Sequence, residues 1–158
     1  MPSKPILDPA SGSRMFYFDK NDSRVLFGDI RSEDHVLCDG RKLVVNPDVL
    51  TDFRNLQFAD NEFKLVIFDP PHLKHLGSNS WMAKKYGVLN ESWETDLTAG
   101  FRECWRVLDF FGTLIFKWNE DQIPVRKIIE LFEQKPVIGH RSGKAAKTHW
   151  LVYFKEGI

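Results

Sequence analysis

Four aspartates stand at the ends of apolar, strand-forming runs: Asp8 in PILD, Asp29 in RVLFGD, Asp52 in VVNPDVLTD and Asp69 in KLVIFD. A carboxylate accepts hydrogen bonds from hydroxyl and amino groups, and open α/β sheets hold their ligands at the carboxyl ends of strands. Asp69 is followed by Pro70, Pro71 and His72. Prolines lack an N–H and fix φ, so this pair reads either as strand punctuation or as a rigid mount for a carboxylate and a carbonyl. Asp8 opens the turn DPASGSR, residues 8 to 14. Its small side chains and Gly12 would let backbone N–H groups approach a ligand at the start of a helix, although an ordinary strand-to-helix turn looks the same.

The elements that must position these groups follow from periodicity. Strands are predicted at 5–8, 24–29, within 44–52, at 64–69 and at 110–118, with two more in PVIGH and THWLVYFK. HVLCDGRKLVV places Asp39 and Gly40 between alternating residues, a hairpin signal where a crossover helix would otherwise stand. Leu97, Phe101, Cys104 and Leu108 recur at helical spacing from Trp93 onward, and IPVRKIIELFEQ carries Val125, Ile128, Ile129 and Phe132 on one face behind Pro124. Strand and helix alternate over most of the chain, which predicts an α/β domain: a mostly parallel sheet with helices on both faces. Residues 72–92 form a connection longer than usual, the kind that is commonly functional.

The chain has 158 residues, 42% hydrophobic and 28% charged, within the range of one ordinary globular domain. Lys plus Arg and Asp plus Glu each total 22, so any nucleic-acid surface has to be local. Cys38 and Cys104 have no metal-type spacing and fit a reducing compartment; no metal site is expected. The opening MPSKPILDPASGSR lacks a signal-peptide pattern and no stretch suits a membrane helix, so the expected location is the cytoplasm.

Asp29 lies 21 positions after Asp8, close to the spacing of about 20 at which an acid meets ribose hydroxyls in nucleotide-binding folds. Gly12 alone stands where a pyrophosphate loop wants three glycines. A turn that keeps its acid suits a ligand with an ammonium group and a nucleoside, a description that S-adenosylmethionine meets. ILDPASGSRMF followed by LVIFDPPH resembles motifs I and IV of the class I S-adenosylmethionine-dependent methyltransferases, in the amino-methyltransferase branch that includes DNA adenine-N6 and cytosine-N4 enzymes. That branch shows a DPACGSG-like turn and a D/N/S-P-P-aromatic tetrapeptide. FGDIR, DFRNLQFADNEFKLVIFD and GFRECWRVLDFFGTLIFK resemble the segments expected between and after these motifs, so the resemblance covers nearly the whole chain.

The resemblance implies a Rossmann-like seven-stranded sheet with its last strand antiparallel, in a single domain spanning residues 1–158. It implies that Asp8, Pro9 and the backbone of Ala10, Ser11, Gly12 and Ser13 hold the methionine part of the cofactor. Asp29 would take the ribose hydroxyls, Ile30 would pack on the adenine, and Asp52 with Phe53 would read the adenine edge; a turn aspartate is the plainer reading of Asp52. Asp69, Pro70, Pro71 and His72 would be catalytic, with the Asp69 side chain and the Pro70 carbonyl accepting the hydrogens of an exocyclic amino group.

The implied activity is methyl transfer to such a nitrogen on a DNA or RNA base. The alternatives are a protein amide or small-molecule acceptor, or a non-catalytic cofactor- or nucleic-acid-binding protein. Lys74, Trp81, Lys84, Lys85 and Tyr86 are the substrate-binding candidates, with a second basic segment in GHRSGKAAKTHW. Two positions depart from the pattern: Arg14 replaces a glycine, where it could pair with the cofactor's carboxylate, and His72 replaces the usual aromatic residue. No recognition domain fits in this length, so sequence specificity is expected to be low, supplied by a partner subunit, or unnecessary because the substrate is a structured RNA or something else, and a phage or prophage origin suits so compact an enzyme.

Overall fold

A computed structural model of the chain describes residues 3–72, 89–141, 143 and 145–157. In chain order its elements are β1 (Ile6–Asp8), β2 (Val25–Asp29), β3 (Glu33–Val36), β4 (Lys42–Val45), β5 (Val49–Leu50), β6 (Phe63–Phe68), α1 (Trp93–Val107), β7 (Leu108–Asn119), α2 (Val125–Leu131), β8 (Ile138–Arg141) and β9 (Thr148–Phe154). Seven strands form one sheet in the order β5-β2-β1-β6-β7-β9-β8, and β3 pairs with β4 as a separate hairpin. The first five strands of that order are parallel; β9 runs antiparallel to β7, and β8 antiparallel to β9. The expected Rossmann-like sheet with a final antiparallel strand is therefore present.

Strand order reverses at β1, whose neighbours β2 and β6 begin the two outward halves of the sheet. Such a switch point opens a crevice at the strands' carboxyl ends, where α/β ligands bind. Asp8 ends β1, Asp29 ends β2 and Asp69 follows β6 there.

Alternation along the strands sends Leu7, Val66, Phe68, Leu114, Phe116, Trp118 and Tyr153 into one buried cluster with α1 and the residues of α2. Helix α1 buries Trp93, Leu97, Phe101, Cys104 and Val107; of the predicted stripe, Leu97, Phe101 and Cys104 lie on the helix and Leu108 opens β7. Phe101 stacks on Phe132 with ring centroids 4.1 Å apart, and Phe132 meets Phe116 edge-on. Each large apolar side chain buried this fully contributes about 1.5–3 kcal/mol. Lys155 donates to the carbonyls of Trp105 and Leu108, satisfying acceptors that the end of α1 leaves open.

Over the opposite face the described residues place irregular chain. Among the described residues, both helices join the single cluster, and residues 9–24 carry turns in place of the expected helix. Gly12 and Arg14 both take positive φ, and Asp19 and Asp22 accept from backbone N–H groups two residues on. Such local bonds compete with helix formation. Phe16 packs on Trp150 and Tyr17 on Phe27, so aromatic side chains cover part of this face. The predicted strand within 44–52 shrinks to Val49–Leu50, because Val44 and Val45 belong to the hairpin instead.

Gly100 sits in mid-helix, where glycine costs roughly 0.5–1 kcal/mol relative to alanine. A Cβ there would run into the Phe53 ring and lie 2.8 Å from the Phe68 ring. Gly100→Ala is therefore expected to destabilise the protein despite its better helix propensity, by about 1–3 kcal/mol. Thermal unfolding checks this, at about 2–4 °C per kcal/mol for a chain of this size.

Candidate functional site

Two cavities open at the switch point. The first, of about 200 Å³, is lined by Pro9, Ala10, Asp29, Ile30, Asp52, Phe53, Asp69 and Pro71 from the predicted set, together with Arg31, Arg54, Leu89, Asn90 and Asp96. The second, of about 210 Å³, is lined by Ala10, Ser11, Gly12, Ser13, Asp69 and Pro70, together with Met15, Phe16, Arg31 and Lys117. Ala10, Arg31 and Asp69 belong to both walls. Pro71 lines the first cavity and Gly12 the second, with Asp69 on the wall of both.

Asp29 ties the first turn to the second strand. Its carboxylate accepts from the Gly12 N–H at 2.9 Å, the Arg31 N–H at 2.9 Å and Arg31 Nε at 3.3 Å. With about four acceptor positions on a carboxylate, one lone pair is left for a ligand hydroxyl. Asp52 accepts from both the backbone N–H and the guanidinium of Arg54, which hold its carboxyl below the usual range, and Arg54 also reaches Asp96. Phe53 is pressed against Phe68 and the Gly100 turn of α1, which fixes its backbone beside the cavity.

Asp69 receives Lys117 Nζ at 3.3 Å. Burial pushes the Asp69 carboxyl up, and the Lys117 charge and hydrogen bond pull it back. The ammonium also lies 5.3 Å from the Phe16 ring centre and 5.6 Å from that of Trp150. Lys117 was absent from the sequence-predicted site. Its signal was available: Leu114, Phe116 and Trp118 alternate into the core, which puts a lysine at the carboxyl end of β7 on the other side. Arg31, two residues beyond Asp29, was absent from the sequence-predicted site, where Asp29 and Ile30 were the residues assigned in DIR.

Two predicted residues are placed elsewhere. Asp8 lines neither cavity; it is fully buried, with Tyr17 Oη donating at 2.8 Å and the Ala10 N–H at 3.2 Å. Its carboxyl is thus spent inside the turn, because the helix-free segment 9–24 folds Tyr17 back over it. Burial pushes Asp8 up to about 7, against the pull of the Tyr17 bond and with the nearby Asp69 and Asp29 charges adding to the rise. His72 also lies outside both linings, buried edge-on to Trp118 at 6.1 Å between ring centres. Burial, then the Lys117 charge, push its imidazole down to about 4, so it is neutral at pH 7.

Arg14 does not line these cavities. Its guanidinium donates to the carbonyls of Lys20 and Asn46 and stacks 3.8 Å from the Phe27 ring centre. It adopts φ +57°, the conformation that a glycine would supply more cheaply. Lys74, Trp81, Lys84, Lys85, Tyr86 and Lys144 lie outside the described residues. In the second basic segment, Lys147 pairs with Asp121 at 2.7 Å and His149 with Glu120 at 2.9 Å.

No protein-family pattern and no curated protein matches the chain. Solved structures do. A protein from Pyrococcus horikoshii OT3 matches over 96% of this chain and 81% of its own, at 17% identity and a TM-score of 0.58. A SAM-dependent methyltransferase from Methanosarcina mazei matches over 99% and 94%, at 8% identity and 0.54. An rRNA methylase from Streptococcus thermophilus matches over 98% and 89%, at 12% identity and 0.52.

The raised Asp8 carboxyl has a measurable consequence. The folded chain keeps a proton that the unfolded chain releases near pH 4, so the contribution of Asp8 to stability falls as pH rises from about 4 to 7 and then levels off. Asp8→Asn removes that titration, so the variant should gain on the wild type by about 2–3 kcal/mol between pH 5 and pH 8. Urea unfolding at both pH values is the check; a constant difference would show that Asp8 titrates normally. At the level of architecture, the chain has the Rossmann-like fold seen in these methyltransferases.

Proposed function

We propose that this chain is an S-adenosylmethionine-dependent N-methyltransferase whose acceptor is an exocyclic amino nitrogen of a nucleic-acid base. The observation that carries the reading is the double membership of Asp69. One carboxylate, mounted ahead of Pro70 and Pro71, lines both the cavity bearing Asp29, Ile30, Asp52 and Phe53 and the cavity bearing the 10–13 turn and Lys117. The architecture shared with a SAM-dependent methyltransferase and an rRNA methylase supports it.

The residues present fit the cofactor. Ser11 Oγ is buried with no hydrogen-bond partner among the described residues, in a turn whose Gly12 has φ +51°, so a ligand's polar group would satisfy it. The first cavity offers Asp29 for a ribose hydroxyl and the Phe53 backbone with Asp52 for a base edge. Arg31, on both walls, offers a cation for a carboxylate. When bound, S-adenosylmethionine supplies an electrophilic methyl group.

An exocyclic amino nitrogen is a poor nucleophile because its lone pair is delocalised into the ring. Asp69 and the Pro70 carbonyl, each accepting one of its hydrogens, localise that pair and aim it along the line of displacement. With the methyl group of a bound cofactor transferred to that nitrogen, Asp69 would take the surplus proton that the methylated amino group gives up. Prolines suit the task because they hold the carbonyl without consuming it in a sheet ladder. Positioning and electrostatics supply the rate. The Lys117 charge and hydrogen bond favour the ionised, accepting form of Asp69 against the rise that burial imposes on its carboxyl.

Transfer of a labelled methyl group to DNA and RNA, wild type beside Asp69→Ala, tests the assignment. A loss of at least about 100-fold is expected, the lower end for a positioned acid or base. Equal incorporation by both proteins discards it. Lys117→Met removes the counter-charge, so the Asp69 carboxyl should rise further and the acid limb of the pH–rate profile should move to higher pH. An unmoved limb removes Lys117 from the mechanism.

A further inference from the structure

Beside the second cavity, between residues 13–21 and the β3–β4 hairpin, lies a larger cleft of about 650 Å³. Arg14, Lys20, Arg41 and Lys42 line it against one acid, Asp48. In a chain whose formal charge sums to zero, this is a local concentration of positive charge. Asp48 is already engaged by Lys4 at 3.0 Å and Arg14 at 3.5 Å. Arg41 pairs with Asp39 at 2.6 Å. The ammonium groups of Lys20 and Lys42 are exposed and have no hydrogen-bond or ion-pair partner among the described residues. The basic segment near the carboxyl terminus differs, since Lys147 and His149 are already paired with acids there.

We infer that this cleft holds the sugar-phosphate backbone of a single-stranded nucleic acid and leads it to the site, an inference that rests on the base-methylation reading above. Ser13 and Met15 line both the cleft and the cavity that contains Asp69 and Lys117, so a strand in the cleft continues directly to the reacting edge. Lys20 belongs to the coil and Lys42 to the hairpin, and each takes a phosphate. The exposed side chains of Met15 and Val44 offer apolar contact to sugars and base faces. The fixed guanidinium of Arg14 shapes the floor without competing for the strand. A single strand fits the chemistry as well, because a base paired within a duplex keeps its amino group in the stack and must be extruded before it can react.

The test is fluorescence anisotropy with a labelled 15-nucleotide DNA strand and its RNA counterpart over a range of salt, for wild type and Lys20→Glu/Lys42→Glu. Neither lysine touches the proposed catalytic groups, and both side chains are exposed, so the fold should tolerate the change. Thermal unfolding and calorimetric S-adenosylmethionine binding verify that it does. The variant should bind at least about tenfold more weakly, with a salt slope reduced by about 1.4, the worth of two phosphate contacts on a single strand. Whichever strand shows the larger loss identifies the backbone that the cleft takes. Unchanged affinity and slope in the variant, or no binding of either strand by the wild type, overturns the inference. A wild type whose strand binding depends on these lysines but which transfers no label supports the cleft while rejecting the chemistry assigned to Asp69.

Discussion

Three carboxylates, those of Asp8, Asp29 and Asp69, arrive together at the carboxyl edge of adjacent strands, each largely withdrawn from solvent. Like charges placed there repel, and each loses hydration. The structure resolves the conflict differently for each. Asp8 approaches neutrality under Tyr17, Asp29 is surrounded by N–H donors from Gly12 and Arg31, and Asp69 keeps a lysine at 3.3 Å. One carboxylate therefore becomes a structural pin, one a clamp between two loops, and one a partly compensated charge on the wall of both cavities. The division of labour is set by which partners the neighbouring segments deliver.

Those partners explain why the site is built on so little chain. Residues 9–24 supply Tyr17 to Asp8, Gly12 to Asp29 and Phe16 to Lys117 without forming a helix. Arg14 anchors the same segment to the carbonyl of Asn46, just past the end of β4. An irregular stretch fixed by side-chain bonds does the positioning that a helix would otherwise do, and it leaves beside it the basic cleft that a helix packed there would fill.

Much of this was legible in the sequence because it depends on period and punctuation. The alternation in KLVIF and TLIFKW, the helical stripe from Trp93 to Leu108 and the Asp39–Gly40 hairpin turn are local signals, and the structure places elements on each. The acids at strand ends were visible for the same reason. What escaped was relational. That Asp8 would bond to Tyr17 depends on how residues 9–24 fold back, and DPASGSR reads equally well as the start of a helix. Lys117 becomes a site residue only once β7 lies beside β6, a contact between segments some 50 positions apart. His72 reads as a loop residue from its prolines, yet it is buried edge-on to Trp118, a contact across 46 positions that no local signal announces.

The two borders of the sheet carry one more consequence. On one side the sheet stops at β5, which is two residues long and preceded by Pro47; on the other it stops at β8, four residues that contain Gly139. Unpaired strand borders are templates on which foreign chains add and fibrils grow, and short, interrupted ones offer too few bonds to start that growth. A protein with seven strands in a single sheet thereby keeps its backbone ladder closed to strangers, even while Phe18 and other aromatic surface remain in contact with water.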